Sequence, residues 1–234
     1  MRNRFTHPFS ELPDVLPVFP LPGAVILPNG QLPLNIFEDR YLNMVFDAMA
    51  SSRLIGMVQP KGEAQAQHPE LHETGCAGRI VSFSETRDNR LLIILAGVCR
   101  FDISDEVEMK NGYRRIQASW GRFAHDLDTQ ESGLDAAEII ASAKRFTESR
   151  NLSVDWSALD HLQPPELIDT LASSLPFSPE EKQGLVEAVV MGDRAELLRA
   201  LCEFGAATPE DGSPVSHLLF RNARRLGGVN RAEG

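Results

Sequence analysis

Two histidines and a cysteine have the spacing in this sequence that is most typical of a metal site. His68, His72 and Cys76 lie four residues apart, so a helix would place them on one face. Zinc accepts imidazole and thiolate ligands of this kind. However, Pro69 and Gly75 disfavour a continuous helix here. We therefore predict no metal or other cofactor and expect Cys76 to pack as a small apolar residue at a strand start, with the metal site as the alternative.

The sequence lacks the short motifs that mark common catalytic sites. It contains no G-x-x-x-x-G-K-[ST] loop for nucleotide phosphates, no G-x-S-x-G nucleophile turn and no H-E-x-x-H zinc motif. We therefore predict that the chain is not an enzyme.

The composition is that of an ordinary globular protein. Of the 234 residues, 42% are hydrophobic and 24% are charged. No apolar run approaches the roughly 18–20 residues of a membrane span, and the basic amino terminus lacks the apolar stretch of a signal peptide. Three cysteines, an odd number, fit a reducing compartment. We predict a cytoplasmic protein that has no membrane partner.

The net charge of −10 is unevenly distributed along the chain. Residues 1–10 and 212–234 carry five net positive charges between them, so the region between them carries −15. A body this acidic repels phosphate backbones, and we predict no nucleic-acid partner.

Two apolar runs that contain proline, Leu16–Leu21 and Gln31–Ile36, open the folded part of the chain. Proline cannot donate to a sheet ladder, so such runs lie at edges, strand starts or bulges. A small, strongly bent barrel accommodates them better than a flat sheet. An acidic helix start, Glu38-Asp39, follows the second run. The apolar stripe of that helix is predicted to comprise Leu42, Val45, Phe46 and Met49.

Strand patterns continue to about residue 125, and helical patterns then replace them. Within the strands, Gly97 is predicted to mark a bulge and Asn111-Gly112 to form the tight turn of a hairpin. Within the helices, Ser178–Glu181 reads as a capping box with proline in the first turn. Asp193 is predicted to cap the next helix and Gly205 to follow its last turn.

These patterns divide the chain into four parts. We predict a flexible amino terminus (1–13), a β-rich subdomain (14–125), a helical subdomain (126–210) and a tail or short helix (211–234). Periodicity alone therefore predicts an α+β protein with two subdomains.

One long stretch resembles a known family. Residues 16–49, LPVFPLPGAVILPNGQLPLNIFEDRYLNMVFDAM, resemble the opening of the amino-terminal, substrate-binding domain of Lon proteases. That family also occurs as free-standing proteins and in cereblon. The resemblance continues through residues 75–102 and, more weakly, through residues 175–203, so it spans most of the chain.

The resemblance implies a PUA-like β pseudobarrel with one early helix, joined to a small carboxy-terminal helical bundle. It also implies a free-standing, non-catalytic member of the family, because the ATPase and Ser-Lys peptidase domains of full-length Lon proteases are missing from this sequence.

Glu38, Arg40 and Tyr41, together with Arg100, form the polar set that this sequence shares with the family motif. One interpretation is a hydrogen-bonded network that fixes the early helix to the barrel wall, because an unpaired buried charge is unfavourable. The alternative is that these residues line a cleft that recognises peptide.

Our leading functional hypothesis follows from the resemblance. The chain would bind unfolded or degron-bearing polypeptides on an apolar patch between barrel and bundle, and extended chain could add to a barrel edge. The candidate peptide-binding residues are Phe37, Tyr41, Met44, Met57 and Arg100. The alternative for Phe37 and the methionines is a place in the core, where such residues are more often found, although methionine also suits promiscuous grooves.

Two other functions remain as alternatives. The helical half and a basic tail with Arg221, Arg224 and Arg225 could mediate self-association or contact with a Lon protease. RNA binding is the other alternative, since PUA-like barrels elsewhere bind RNA, and the acidic body of this chain opposes it.

Overall fold

The computed structural model describes residues 8–62, 68–128 and 136–207. Within these ranges a β-rich half precedes a helical half, which confirms the predicted α+β class. The strands are β1 (Val15–Pro20), β2 (Gln31–Ile36), β3 (Leu54–Val58), β4 (Thr74–Glu85), β5 (Leu91–Lys110) and β6 (Tyr113–Ser119). The α-helices are α1 (Asp39–Met49), α2 (Ala137–Ser149), α3 (Pro164–Ser174), α4 (Pro179–Glu187) and α5 (Met191–Ala207). Short 3₁₀ helices occupy Phe9–Glu11, Gly121–Leu127 and Trp156–Ala158.

The strands of the described chain form one mixed sheet that closes on itself. Their order is β2-β5-β4-β3-β1-β6, and β6 returns to pair with β5. Only β1 and β3 run parallel. The 20-residue β5 makes closure possible, because its first half pairs with β4 and its second half with β6. The predicted pseudobarrel is therefore confirmed, and β2 lies outside the closed ring as an additional edge strand.

Gly97 lies at a bulge in β5, as the sequence predicts. Relative to β4, the strand carries one extra residue here, Val98. The turn that ends at Gly30 crosses this point, and the Gly97 N–H donates to the Gly30 carbonyl over 2.9 Å. A Cβ atom at position 97 would overlap the backbone of Leu27. Glycine is therefore required for the turn to lie against the bent strand.

The hairpin between β5 and β6 turns at Asn111 and Gly112, again as predicted. Both residues have positive φ angles, 49° and 86° respectively, which a type I′ turn requires. The side chain of Asn43, on α1, donates to the Asn111 carbonyl over 3.3 Å. The hairpin tip is therefore attached to the early helix.

Three apolar clusters form the core of the described chain. One lies between α1 and the sheet, and a second fills the barrel around Leu16 and Phe101. The third joins the helices of the second half, and it includes Val25 and Leu27 from the loop between β1 and β2. The two halves therefore share a core, since a barrel loop supplies side chains to the helical cluster.

The apolar stripe of α1 differs from the predicted one by a rotation of the helix. Tyr41, Met44, Val45 and Ala48 are the buried residues of this helix. Phe46, which we predicted to be buried, is 51% exposed. Both sets fit a period of 3.6 residues. Val45 belongs to both sets, and Leu42 and Met49 pack partly buried against the same core, so Phe46 is the one predicted residue that faces solvent.

The last described helix begins and ends at different residues from those predicted. α5 begins at Met191, two residues before Asp193, and continues through Gly205 to Ala207. Gly205 is buried within the helix instead of following it. A Cβ atom there would overlap the ring of Phe146 on α2, so the glycine permits close helix–helix packing. By contrast, the capping box of α4 is confirmed, with reciprocal bonds between Ser178 and Glu181.

The ends of the chain bear on the predicted subdivision. Within the amino-terminal segment predicted to be flexible (1–13), Leu12 is buried and the Trp120 indole donates to the Pro13 carbonyl, whereas residues 9–11 are exposed. The predicted tail, 211–234, lies outside the described residues. A boundary near residue 126 remains a proposal; the last strand ends at Ser119 and α2 begins at Ala137.

Gly205→Ala tests the contact between α2 and α5. Replacement of a glycine inside a helix by alanine normally raises the free energy of unfolding by about 0.5–1 kcal/mol. Here, however, the new methyl group would overlap the Phe146 ring. We expect a net loss of about 1 kcal/mol or more in the free energy of unfolding, measured by urea denaturation. The control is Gly184→Ala in α4, whose new Cβ would lie 3.5 Å from Leu197, an ordinary contact. A stabilised Gly205→Ala would contradict the proposed packing.

Candidate functional site

The described surface contains a groove of about 510 Å³ at the open side of β2. Its walls come from separate parts of the chain: the end of β1 with the following loop, β2 itself, the start of α1 and the tip of the β5–β6 hairpin. Pro60, His68 and Pro69 complete the lining. Because proline rings and aromatic side chains make up much of this surface, the groove suits an apolar ligand.

Aromatic rings contribute to the groove lining. The rings of Phe19 and Tyr41 pack at a tilt of 37° with centroids 4.2 Å apart, and the Arg40 guanidinium lies 4.6 Å from the Tyr41 centroid. Phe37 is 61% exposed, and Arg90 lies 5.5 Å from its ring centroid. An exposed phenylalanine beside an apolar floor is available to contact a bound side chain.

A carboxylate on α1 holds the hairpin wall in place. Asp47 accepts hydrogen bonds from the Tyr113 hydroxyl at 2.7 Å and from the Asn111 amide at 3.2 Å, and it pairs with Lys110 at 3.1 Å. The Tyr113 hydrogen bond, followed by Lys110, lowers the pKa of Asp47. Burial and the Asp47 carboxylate raise the pKa of Tyr113, and burial raises that of Tyr41. The hairpin wall is therefore positioned by electrostatic contacts with α1.

Two of the five predicted peptide-binding residues, Phe37 and Tyr41, line the groove. Met44 and Met57 do not, because their exposed fractions are 0% and 2% and both belong to the core between α1 and the sheet. The prediction that these methionines contact peptide is therefore wrong. Methionine is common both in cores and at binding surfaces, so the residue type alone could not decide.

Arg100 is also misassigned as a peptide contact. Its side chain is 1% exposed and pairs with the equally buried Asp126 at 2.7 Å. Its guanidinium also donates to the carbonyls of Val186 at 3.0 Å and Val189 at 2.8 Å, and to that of Ala188. These carbonyls lie at and beyond the end of α4, so Arg100 joins the barrel to the helical half.

Glu38 and Arg40 form an ion pair of 2.7 Å at the groove rim, with side chains about half exposed. Arg40 also contacts the Tyr41 ring. The structure therefore brings three members of the predicted polar set together at the groove and places the fourth, Arg100, in the buried contact between the two halves.

The structure does not assemble the alternative metal site. Residues 68–73 are not helical, and Cys76 is buried within β4, where burial raises the pKa of its thiol. His68 is exposed at the groove. Within residues 8–62, 68–128 and 136–207, no three histidine, cysteine or acidic side chains converge as metal ligands would.

Sequence reasoning missed several residues of the site. The Asn111-Gly112 motif predicts the hairpin but does not indicate that Tyr113 and Arg114 line a groove, and the hydrogen bond from Tyr113 to Asp47 spans 66 residues. The partner of Arg100, Asp126, was likewise absent from the predicted set. One available signal was the repeated proline in the apolar runs, since the lining includes Pro20, Pro22 and Pro33.

The family model for the ATP-dependent protease La (LON) substrate-binding domain matches residues 15–202. The chain belongs to this family. Among curated relatives, it is 25% identical to a Lon protease of Syntrophus aciditrophicus over 215 residues and 29% identical to one of Flavobacterium johnsoniae over 200 residues. These matches cover 88% and 81% of the chain but only 27% and 24% of the relatives. The chain thus spans about a quarter of their length.

Solved structures of the Lon family agree with this assignment. A Lon N-terminal domain protein from Xanthomonas campestris is 25% identical, with a TM-score of 0.57, and the match covers 80% of this chain and 97% of that one. The N-terminal domain of a Mycobacterium avium complex Lon protease is 16% identical, with a TM-score of 0.55 and the same two coverages. The second likeness shows the Lon-domain fold alone.

No helix among the described residues has the length and apolar character needed to cross a bilayer.

Arg100→Met tests the structural role of the buried ion pair. It leaves the Asp126 carboxylate buried without its cation, so we expect a loss of about 3–5 kcal/mol in the free energy of unfolding, measured by urea denaturation. Adding Asp126→Leu should restore much of this loss. Arg40→Met, at the exposed pair, is the control and should change stability by less than about 1 kcal/mol. Equal losses of stability in Arg100→Met and Arg40→Met would contradict the structural role assigned to the buried pair.

A tyrosinate titration tests the groove walls, because the chain has only two tyrosines, Tyr41 and Tyr113. Both pKa values are raised in the folded protein. Their contribution to stability is therefore complete below the unfolded value of about 10 and is lost as the pH rises through the folded values. We expect little tyrosinate absorbance at pH about 10 in the native protein and half ionisation there in urea. Asp47→Asn should lower the pKa of Tyr113 in the native protein, because the Asp47 carboxylate helps to raise it. Titration of both native tyrosines at the ordinary pKa of about 10 would contradict their burial.

Proposed function

We propose that this chain is a polypeptide-recognition module without catalytic activity of its own, and that it holds apolar segments of unfolded or partly folded proteins in the groove. Membership of the Lon substrate-binding domain family supports a role in substrate recognition. The observation that carries the proposal is the exposed Phe37 at the end of an apolar, proline-lined groove. A ligand that covers this ring removes apolar area from water.

The groove also limits which polypeptides qualify. Folded proteins bury most of their large apolar side chains, so unfolded, partly folded or degron-bearing chains would present more of them to the groove. Delivery of such clients to a Lon peptidase, and a cytoplasmic location, remain part of the proposal. The arginine-rich segment that we considered for self-association, with Arg221, Arg224 and Arg225, lies outside the described residues.

Fluorescence anisotropy with an unfolded client tests the proposal. A labelled, reduced and carboxymethylated α-lactalbumin would be titrated with this protein in the absence of nucleotide. We expect saturable binding that Phe37→Ser weakens by about 10-fold to 100-fold, because burial of a phenylalanine contributes about 1.5–3 kcal/mol.

Phe46→Ser is the matched control. It removes a phenylalanine of similar exposure from α1, outside the groove lining, and should leave the affinity unchanged. The proposal fails if no binding is detected up to about 1 mM, where the binding free energy is only about −4 kcal/mol. A mass that rises with protein concentration in the same samples would instead favour self-association.

A further inference from the structure

The open edge of β2 lies within the groove. Among the described strands, β2 pairs with β5 on one side only. Residues 32–35 of this strand line the groove, and Gln31, Pro33 and Asn35 are exposed. A sheet edge of this kind presents unpaired backbone groups to whatever enters the groove.

One hydrogen bond fixes which backbone groups face that opening. The Gly97 N–H donates to the Gly30 carbonyl, and this pair continues the β2–β5 register, in which Gln31 faces Ala96. In an antiparallel ladder, hydrogen-bonded and non-bonded pairs alternate. Leu32, as the next hydrogen-bonded residue after Gly30, therefore directs its backbone groups toward β5, as do the other even-numbered residues of β2.

The odd-numbered residues consequently direct their backbone groups toward the groove. Gln31, Pro33 and Asn35 offer three carbonyl acceptors, but only two N–H donors, because proline has none. The position of Pro33 agrees with this pattern, since the missing N–H removes no bond to β5. The open edge is thus richer in acceptors than in donors.

We propose that a client binds as an added strand, with its own backbone N–H groups donating to the carbonyls of Gln31, Pro33 and Asn35. This inference rests on the proposed function and specifies its ligand: an extended polypeptide with free amides at every second residue. Successive carbonyls on this edge are about 6.6–6.8 Å apart, which is the spacing of alternate amides in a strand. Main-chain pairing supplies affinity without a strict sequence, while apolar side chains meet the groove lining.

The same geometry argues against a second copy of β2 as the occupant. If two copies paired antiparallel about Pro33, two prolines would face each other, and each Pro33 carbonyl would face a proline nitrogen that has no hydrogen to donate. A polypeptide without proline at the corresponding position meets no such conflict. The edge therefore favours a foreign strand over its own copy.

Backbone N-methylation of a client peptide tests the main-chain pairing. The tightest-binding decapeptide would be chosen from tiled peptides of carboxymethylated α-lactalbumin and then N-methylated at one residue at a time. We expect N-methylation to weaken the affinity of the peptide about tenfold at every second residue and to change it little at the residues between them. Losses that follow side-chain type, without a period of two, would overturn the inference while leaving peptide recognition intact. If no decapeptide and no unfolded protein bind, the proposed function itself fails.

Variants of the edge provide a second, independent test. Pro33→Ala adds the missing donor and should tighten decapeptide binding by about twofold to tenfold. Asn35→Pro removes an outward N–H without removing a bond to β5, and it should weaken binding by a similar factor. Asn35→Ala removes the same side chain but keeps the N–H, so the affinity of Asn35→Pro is compared with that of Asn35→Ala.

Urea denaturation of each variant shows whether it still folds, and sedimentation shows whether it self-associates. A change in affinity without either effect is then attributed to main-chain pairing with the peptide. Unchanged affinity in both Pro33→Ala and Asn35→Pro, with folding retained, would overturn the inference.

Discussion

The buried ion pair between Arg100 and Asp126 is the contact on which the arrangement of the two halves depends. Its guanidinium donates to three carbonyls at and beyond the end of α4 while its partner carboxylate comes from the segment after β6. Removing either charge would leave the other in an apolar interior, which is strongly unfavourable. The ion pair therefore holds the barrel and the helices in one relative position, and it thereby helps to keep the elements that line the groove in place.

The loop between β1 and β2 serves both halves of the molecule. Val25 and Leu27 pack into the helical core, whereas Pro22 and Ala24 line the groove. Further along, Asp169 on α3 accepts hydrogen bonds from the backbone and side chain of Asn29. The same Asp169 pairs with the buried Arg194. A single loop thus couples the packing of the helices to the shape of the groove.

Local signals allowed much of the fold to be predicted from the sequence, whereas the site depended on contacts between distant residues. The Asn111-Gly112 turn, the Gly97 bulge and the Ser178 capping box each follow from backbone chemistry within a few residues. By contrast, the partners of Arg100 lie 26 to 89 residues away. Met44 and Met57 were assigned to the surface because side-chain chemistry does not reveal burial. Phe37 and Tyr41 line the groove because they follow the proline-containing strand β2, and their contact with peptide stays a prediction.

Gly23 shows how closely the groove and the helices are joined. Its N–H donates to the Gln59 side chain at 2.9 Å, and its carbonyl accepts from the buried Lys182 of α4 at 2.8 Å. Gln59 in turn donates to the Pro179 carbonyl at the start of that helix. A fragment that stopped near residue 126 would keep Gln59 but lose Lys182 and Pro179, and it would expose Val25 and Leu27 to water. Sequence change in one half is consequently constrained by the other, because the two halves share these buried contacts.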